Sequence, residues 1–370
     1  MKIAMLVSGG VDSSLAAHLL KEQGHEVTAF YLKIWLEDDL AFLGDCPWQE
    51  DLDFVKRLCA QLNIPLREIS LQKEYWEAIV GYTIAEARAG RTPNPDILCN
   101  SRIKFGCFFD HIDASFDKVA TGHYAQVRQN NSLFELLCAP DPVKDQTYFL
   151  AHLNQAQLAR IVFPIGHLTK AEVRKMAQER DIPAKDRQDS QGLCFLGKLK
   201  FADFLKFHLG ERPGNFVELE TGKILGQHQG FWFYTVGQRK GMGLSGGPWY
   251  VVKKDINSNN VFVSSETFVE DAKRDMDELE PFYWYYAAKT PRDLVNLEQF
   301  HWITLPPKNL NLEIKLRHGA MRHEALLTLN DGLGQAFLAK QDQGIAPGQF
   351  AVFYHKNVCL GCARISEIKE

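Results

Sequence analysis

The first 120 residues alternate between short apolar runs and stretches in which apolar positions recur every three or four residues. Short apolar runs are typical of buried strands, and the longer period is typical of helices with one buried face. The pattern predicts strand, helix, strand, helix, strand, helix and strand at Lys2–Val7, Ser13–Gln23, Glu26–Trp35, Gln49–Leu62, Leu66–Ser70, Lys73–Ala89 and Lys118–Ala120. Such alternation favours a doubly wound α/β domain with a parallel sheet between two helical layers.

Two helices carry further signals. In the helix Gln49–Leu62 one stripe collects apolar residues and a cysteine, which predicts that Cys59 belongs to the core: Leu52, Val55, Leu58, Cys59 and Leu62. Thr169 and Glu172 have the spacing of a capping box. They predict a helix that runs to about Asp181, followed by a loop over residues 184–197.

Beyond Gly210 the chain changes to short runs separated by turn residues, which is typical of β structure. The predicted strands are Trp249–Asp255, Val261–Ser264, Phe282–Ala288, Asn311–Arg317, Glu324–Asn330, Gln335–Lys340 and Gln349–Tyr354, with an acidic linker at Glu270–Glu280. We therefore expect three domains: an α/β domain over 1–205, a small, mostly β domain over 206–272, and a C-terminal β-barrel over 273–370.

Composition narrows the class of protein. The hydrophobic content of 45% in 370 residues is enough for several packed cores. Met1 to Val7 already has the pattern of a strand, and no apolar stretch is long enough to span a membrane, so we expect a cytoplasmic protein with no membrane contact. Eight cysteines are too few for a disulfide scaffold. A net charge of −4 means that any nucleic acid must bind a local basic patch.

A glycine-rich turn follows the first strand. Its two glycines allow a sharp turn that aims backbone N–H groups at an anion, and the candidate residues are Leu6, Val7, Ser8, Gly9, Gly10, Val11, Asp12 and Ser13. The segment has neither the ending of a Walker loop nor the dinucleotide fingerprint. Six positions fit together in a strand and helix context, which favours a phosphate site over a plain βα turn.

This Ser-Gly-Gly-Val-Asp-Ser segment resembles the signature of the PP-loop ATP pyrophosphatases. The resemblance implies a loop that grips the β- and γ-phosphates of ATP while an acceptor oxygen attacks the α-phosphate. Asp12 would then help to place Mg²⁺, and Ser8 and Ser13 would donate hydroxyls to phosphate oxygens.

Two later segments place a cysteine among residues suited to chemistry. Thr92–Asn100 contains two prolines, which predict a stiff loop, and Asp96 lies three residues before Cys99. The second predicted loop holds Cys194, and nearby Arg187 could lower the pKa of its thiol. Taken alone, two such cysteines are equally compatible with buried structural thiols.

With the phosphate loop, these segments closely resemble the tRNA-specific 2-thiouridylase family, from near Met1 to about Gly361. The further matching segments are Thr121–Ala125, Lys144–Leu150 and Thr235–Gly241. The resemblance implies that Cys99 is the nucleophile and that Cys194 carries a persulfide. ATP would adenylate oxygen 2 of the wobble uridine, and sulfur from Cys194 would enter at carbon 2. A transient Cys99–Cys194 disulfide would remain, and we assign Asp96 as the general base or acid.

The same resemblance implies the binding residues. Leu32 and Gly122 would line the adenine, and Asn94, Pro95 and Asp96 would meet the target base. The tRNA near that base would contact Lys144, Asp145, Gln146, Arg317 and His318. The implied cofactors are ATP with Mg²⁺ and a persulfide sulfur, which a cysteine desulfurase or sulfur-relay protein would supply.

Three other functions compete with this interpretation. A PP-loop ligase acting on a small molecule would have no use for two such thiols. A thiolase with an iron–sulfur cluster needs three gathered cysteines. A non-catalytic RNA-binding relative would not need Asp12, Cys99 and Cys194 together. Cys359 and Cys362 have a metal-ligand spacing but no second pair of ligands in the sequence, so we predict no metal site there.

Overall fold

The computed structural model describes residues 1–34, 48–189, 200–265, 293–308, 310–342 and 344–367. The predicted linker Glu270–Glu280 and the predicted strand Phe282–Ala288 lie outside these ranges. Within them, no helix is long and apolar enough to cross a membrane.

The strands of the described residues are numbered in chain order. They are β1 Lys2–Leu6, β2 Glu26–Lys33, β3 Leu66–Ser70, β4 Lys118–Ala120, β5 Ala125–Asn130, β6 Leu133–Cys138, β7 Ile161–Val162, β8 Gly214–Glu218, β9 Ile224–His228, β10 Trp249–Asp255, β11 Asn260–Ser265, β12 Leu294–Trp302, β13 Asn311–Lys315, β14 His323–Asn330, β15 Leu333–Leu338, β16 Phe350–His355 and β17 Val358–Ile365.

The α-helices described are α1 Val11–Glu22, α2 Trp48–Leu62, α3 Gln72–Tyr75, α4 Gly81–Arg88, α5 Pro95–Leu98, α6 Phe108–Asp110, α7 Thr147–Leu150, α8 Gln155–Ala159, α9 Lys170–Glu179 and α10 Phe201–Leu209. Two π-helical segments, Trp76–Val80 and Cys99–Cys107, join neighbouring α-helices, and Phe231–Phe233 forms a 3₁₀ turn.

The N-terminal sheet has five strands in the order β3-β2-β1-β4-β7, and all neighbours run parallel. The chain moves outward from β1 in one direction and then returns to the other side, which confirms the doubly wound prediction. Side chains alternate along β1, so that Ala4 and Leu6 enter one core while Ile3 and Met5 enter the other. The sheet is therefore buried on both faces by helices.

Local predictions in this domain are confirmed where a short-range signal was present. The residues predicted for the stripe of α2 are its buried residues, including Cys59. Thr169 and Glu172 form the predicted capping box at the start of α9, which ends at Glu179, slightly before the predicted end.

The prediction of a loop through Cys99 is wrong, because a helix begins at Pro95 and continues into the π-helical segment that starts at Cys99. The Asn94 side chain accepts a hydrogen bond from the Ile97 N–H and caps this helix. Proline at the first helical position has its φ angle preset and gives up an N–H that a helix leaves without a partner. The proline thus starts a helix here, where its stiffness had suggested a loop.

The small middle sheet has the order β10-β11-β8-β9 and its own core, which includes Phe216, Phe231 and Val263. Strands β12 to β17 form the predicted C-terminal barrel, closed by pairing of β12 with β17. A hairpin from the N-terminal domain, β5–β6, extends the barrel sheet by pairing with β17. Strands β5 to β9, β12 and β17 were not predicted individually.

Strand β16 is buried on both faces, which locks the barrel to the N-terminal domain. Ala351 and Phe353 point into the barrel core, whereas Val352 and Tyr354 join the core that also contains Cys99. The barrel and the α/β domain therefore share a continuous apolar interior. The domain boundaries at 205/206 and 272/273 stay predictions.

Candidate active site

The turn between β1 and α1 has the geometry of an anion cradle. Gly9 has a φ of +77°, and a Cβ on it would lie 2.6 Å from the Asp51 carbonyl oxygen, so only glycine fits. The Ser8 N–H donates to Ser13 Oγ at 3.2 Å, and Ser13 Oγ donates to the Gly10 carbonyl at 3.2 Å. These bonds fix the turn at the N-terminal end of α1, where backbone N–H groups favour an anion.

The segment after β4 closes against this turn. A Cβ on Gly122 would lie 2.5 Å from the Ser13 nitrogen and 2.7 Å from the Asp12 carbonyl carbon. The backbone at Gly122 can therefore touch the start of α1 only because no side chain is present. The sequence had placed Gly122 and Leu32 beside the adenine; Leu32 lies partly buried near the end of β2.

Asp12 is paired with a lysine, Lys170, that no local sequence signal identifies. Lys170 Nζ donates to both carboxylate oxygens of Asp12, at 2.7 and 2.9 Å, and Tyr124 Oη donates to Oδ1 at 2.7 Å. Burial, together with the Asp12 charge, raises the pKa of Tyr124 above its usual range, so the phenol stays a donor. The Asp12 side chain is 31% exposed, and it can be reached by a ligand in the cradle.

Asp189 joins this pair to further cations. Its carboxylate contacts Lys170 at 2.7 Å, Lys144 at 2.6 Å and Arg174 at 2.6 Å. Burial alone would raise the pKa of Asp189, but the hydrogen bonds from Lys144 and Lys170 outweigh it and lower the pKa to about 2. A line of alternating charges thus runs from Asp12 to Lys144.

Arg187 lies at the phosphate turn. It donates to the Gly9 carbonyl at 3.0 Å, pairs with Asp51 at 2.7 Å, and stacks on Phe54 at 4.5 Å. Burial raises the pKa of Asp51, and Arg187 offsets part of that rise. The predicted effect of Arg187 on Cys194 stays a prediction, because Cys194 lies outside the described residues.

Cys99 is held inside the protein. Its residue is 1% exposed and belongs to the core that contains Leu6 and Phe105. Asn100, the next residue, donates from Nδ2 to the Phe149 carbonyl at 3.0 Å. Asp96 is partly exposed on the short helix that precedes the cysteine, while Asn94 and Pro95 are buried.

His123 packs between the π-helical segment that follows Cys99 and the strand-end residues of the sheet. Its ring packs against Phe105 at 6.3 Å and Phe163 at 5.9 Å, and Nδ1 is 2.7 Å from Thr121 Oγ1. Burial lowers the pKa of His123, with Lys104 adding to the effect. These contacts give the histidine a structural role in the core.

The residues predicted to contact tRNA occupy two kinds of position. Lys144 is bound to Asp189, and Gln146 Oε1 accepts the Tyr124 N–H at 2.9 Å. Arg317 is 51% exposed and pairs with Asp342, and the ring of exposed His318 packs at a tilt against Phe149, with 4.6 Å between the ring centroids.

Asp145 differs from the rest of that set. It is 2% exposed and pairs at 3.0 Å with Lys315 of the barrel, which is equally buried. Thr147 Oγ1 donates to the same carboxylate at 2.9 Å. Asp145 therefore connects the N-terminal domain to the barrel through an ion pair that water does not reach.

No disulfide joins two cysteines within the described ranges. The proposed partner of Cys99, Cys194, falls outside them, so that pairing stays a prediction. Burial raises the pKa values of Cys359 and Cys362, both on β17, well above the ordinary thiol range. Neither belongs to a described cluster of three residues able to ligate a metal.

Sequence reasoning missed Lys170, Tyr124, Asp189 and, in the barrel, Gln349. Lys170 follows a recognisable cap, but nothing local indicates that its side chain reaches Asp12, 158 residues away. Gln349 Nε2 donates to the Thr92 and Pro93 carbonyls, a contact across more than 250 positions. Only the tertiary fold could reveal these partners.

The phosphate turn at the carboxyl end of a doubly wound sheet, followed by two β domains, defines a nucleotide-binding protein of the PP-loop class. Family models match three consecutive regions. A tRNA methyl transferase HUP domain matches residues 1–198, a tRNA methyl transferase PRC-barrel domain matches 202–265, and an aminomethyltransferase beta-barrel domain matches 292–365.

Curated relatives are similar along their whole length. The tRNA-specific 2-thiouridylase MnmA of Parabacteroides distasonis is 42% identical, and that of Porphyromonas gingivalis is 43% identical, each over 99% of this chain and 99% of the relative. The tRNA-specific 2-thiouridylase MnmA 1 of Bacteroides thetaiotaomicron is 42% identical over 99% of this chain and 100% of the relative. The chain belongs to the tRNA-specific 2-thiouridylase family.

Proposed function

We propose that this protein is a tRNA-uridine 2-sulfurtransferase that uses ATP to convert the wobble uridine of tRNA to 2-thiouridine. The observation that carries the proposal is a phosphate turn and a cysteine-bearing helix in one domain, with Leu6 and Cys99 in the same core, in a chain similar over its full length to 2-thiouridylases. The products are 2-thiouridine in tRNA, AMP and pyrophosphate.

The phosphate turn supports the activation step. Oxygen 2 of the uracil attacks the α-phosphate of ATP, the bond to the β-phosphate breaks, and pyrophosphate leaves. Backbone N–H groups of the turn and the Ser8 and Ser13 hydroxyls stabilise the charge of the leaving group. Asp12 suits Mg²⁺, because that ion is commonly held by one carboxylate together with phosphate oxygens. When bound, Mg²⁺ would neutralise phosphate charge.

The cysteines carry the sulfur step. The terminal sulfur of a Cys194 persulfide bonds to carbon 2, and AMP leaves with oxygen 2. The Cys99 thiolate then attacks the inner sulfur, so the sulfur–sulfur bond breaks and 2-thiouridine is released. The remaining Cys99–Cys194 disulfide needs a dithiol reductant. Asp96 is the proposed acid or base, and a cysteine desulfurase or relay protein supplies the persulfide.

We assign tRNA contacts to both domains. Asn94, Pro95 and Asp96 lie beside the nucleophile and are assigned to the target base. Lys144, Gln146, Arg317 and His318 are assigned to the surrounding tRNA, and the exposure of the latter two supports this role. Asp145 is assigned to the tRNA by the same resemblance, and because it is buried against Lys315 we propose that it acts there by orienting its neighbours. Leu32 and Gly122 are assigned to the adenine.

The decisive experiment measures pyrophosphate release and tRNA nucleosides together. The protein, ATP, Mg²⁺ and a desulfurase with cysteine should release pyrophosphate only when tRNA is present, and mass spectrometry should detect 2-thiouridine. Pyrophosphate release without tRNA would favour a small-molecule ligase. Binding of tRNA without release would favour a non-catalytic relative, and activity that depends on iron would favour a cluster enzyme.

The RNA surface can be tested separately. Because an acidic protein can bind tRNA only through clustered cations, affinity should fall steeply with salt. Lys144→Ala and Arg317→Ala should each weaken tRNA binding, while exposed Lys175→Ala on α9 serves as the matched control. A tRNA affinity that changes neither with salt nor with either substitution would contradict this placement of the tRNA.

A further inference from the structure

The segment that carries Cys99 is gripped by one side chain of the barrel. Gln349 Nε2 donates to the Thr92 carbonyl at 3.3 Å and to the Pro93 carbonyl at 2.9 Å, while Oε1 accepts from Asn94 Nδ2 at 3.1 Å. One amide thus contacts three consecutive residues. Asn94 is 7% exposed and caps the helix that leads into Cys99.

The backbone at Gln349 is held in place by hydrogen bonds. The Ile365 N–H donates to its carbonyl at 2.8 Å, which ties its backbone to the barrel strand β17. The Thr92 N–H donates to the Pro347 carbonyl at 2.8 Å. Gly348 has a φ of +91°, and a Cβ there would lie 2.8 Å from the Thr92 carbonyl oxygen. The barrel loop is therefore built to approach this segment closely.

The same helix is held from its other side. Tyr148 Oη lies 3.3 Å from Asn94 Nδ2 and donates to the Phe350 carbonyl at 3.0 Å. Asn100 is bonded to the carbonyl of Phe149, whose ring packs at a tilt against His318 of the barrel. The barrel thus contacts the segment before Cys99 directly and the residue after Cys99 through Phe149.

We propose that Gln349 is a positioning residue: it clamps the Thr92–Asn94 segment so that the barrel sets the position and accessibility of the Cys99 thiol. The inference takes the role of Cys99 from the proposed function, but the clamp itself does not depend on that role. In its absence the Asn94 cap would lose a partner, and local opening of the helix would expose the thiol more often.

The test measures alkylation of Cys99 in the full-length protein without ATP or tRNA. Cleavage after Arg91 and Arg102 releases residues 92–102, whose only cysteine is Cys99. The alkylation by iodoacetamide is followed by peptide mass spectrometry. Cys99 should react at least about tenfold faster in Gln349→Met than in wild type, because that is the effect expected when roughly one net hydrogen bond or more is lost. Cys59, on the buried face of α2, should keep its alkylation rate.

Two further variants make the result specific. Gln335→Met removes an exposed barrel amide that bonds only to Asn296 among its described side-chain partners, and should leave the Cys99 rate within about twofold of wild type. Gln349→Glu keeps the acceptor for Asn94 and loses the donor, so it should give an intermediate rate. If Gln349→Met does not fold, Gln349→Glu is used in its place.

Turnover supplies the functional measurement. In the sulfur-transfer assay Gln349→Met should lower kcat about tenfold and leave KM for ATP unchanged, because Gln349 does not touch the phosphate turn. Equal Cys99 alkylation in folded Gln349→Met and wild type overturns the proposal, whatever the activity. Faster alkylation of Cys99 in a protein that thiolates no substrate would preserve the clamp and reject the proposed function.

Discussion

The phosphate turn and the Cys99 segment are held by different kinds of contact. The turn is shaped within six residues, through Ser8, Gly10 and Ser13. Asn94, which caps the helix leading to Cys99, is bonded to Tyr148 and Gln349, which lie 54 and 255 residues away. One part of the site is therefore encoded locally, and the other depends on the docked barrel.

The two parts of the site should differ in how they respond to a ligand bound by the barrel. The described contacts of the turn with Asp51, Gly122 and Arg187 all come from the N-terminal domain, so the turn can present its N–H groups without help from the barrel, which suits a common substrate such as ATP. A nucleophile held by a distant domain responds to whatever that domain binds. Because Arg317 and His318 belong to the same barrel as Gln349, tRNA bound there would act on the Cys99 segment through existing contacts.

The largest effect is expected from Cys99→Ser. A serine hydroxyl cannot cleave a persulfide as a thiolate does, so 2-thiouridine formation should fall by at least about a thousandfold. ATP binding should not change, since the phosphate turn makes its own contacts. Nucleoside mass spectrometry and ATP titration measure the two halves separately.

Sulfur loading sharpens the same experiment. After incubation with a desulfurase and cysteine, Cys99→Ser should still gain one sulfur atom on the peptide containing Cys194, whereas Cys194→Ser should gain none there. Loading on Cys99, or full activity of Cys99→Ser, would reverse the assignment of the two thiols.

Asp12→Asn should impair the phosphate turn and leave the Cys99 segment unchanged. Loss of the carboxylate charge weakens the hold on Mg²⁺ and leaves Lys170 paired with Asp189 alone, so tRNA-dependent pyrophosphate release should fall by about a hundredfold. The alkylation rate of Cys99 should stay unchanged. Asp53→Asn, at a 65% exposed position on α2, is the matched control. Undiminished pyrophosphate release would show that the turn is structural.

The sequence predicted those parts of the fold that short-range signals encode. The α2 stripe and the Thr169–Glu172 capping box were found because their partners lie within one or two turns. The phosphate turn was recognised because its glycines and serines are contiguous.

Features with distant partners were missed for the same physical reason. The hairpin β5–β6 of the N-terminal domain pairs with strand β17 of the barrel. Each therefore has a pairing partner in the other domain, which the local pattern of hydrophobic residues does not indicate. Lys170 has no local feature that marks it as a partner of Asp12. The buried Asp145–Lys315 pair joins residues 170 positions apart, and each was indistinguishable from a solvated charge. Such contacts need the three-dimensional arrangement.

Lys315→Met should show how strongly the buried ion pair with Asp145 stabilises the contact between the N-terminal domain and the barrel. Removing one partner leaves the Asp145 charge buried alone, so the free energy of unfolding should fall by about 3 kcal/mol. The double variant Asp145→Asn, Lys315→Met should recover more than half of that loss, measured by denaturant titration. If the single variant is as stable as wild type, the pair does not hold the domains together.

The smallest effect concerns pH. His152 stacks on His301 of β12 at 4.4 Å, and His301 Nε2 donates to the Leu153 carbonyl at 2.9 Å. Burial, then the charges of His301 and Arg102, lower the pKa of His152 to about 4.

Between about pH 6.5 and 4 the unfolded chain therefore binds a proton at His152 that the folded chain does not, and stability falls as pH falls. From pH 7.5 to 5.5 this group should lower the free energy of unfolding by about 1 kcal/mol.

His123 and His228 also have lowered pKa values, so the measurement is the difference in stability between wild type and His152→Gln. The variant should lose about 1 kcal/mol less over that range, and the stability difference should stop changing with pH above about pH 7.5, where His152 is neutral in both states. Identical pH profiles would mean that this histidine pair does not sense acid, and that the contacts holding the Cys99 segment to the barrel are independent of its protonation.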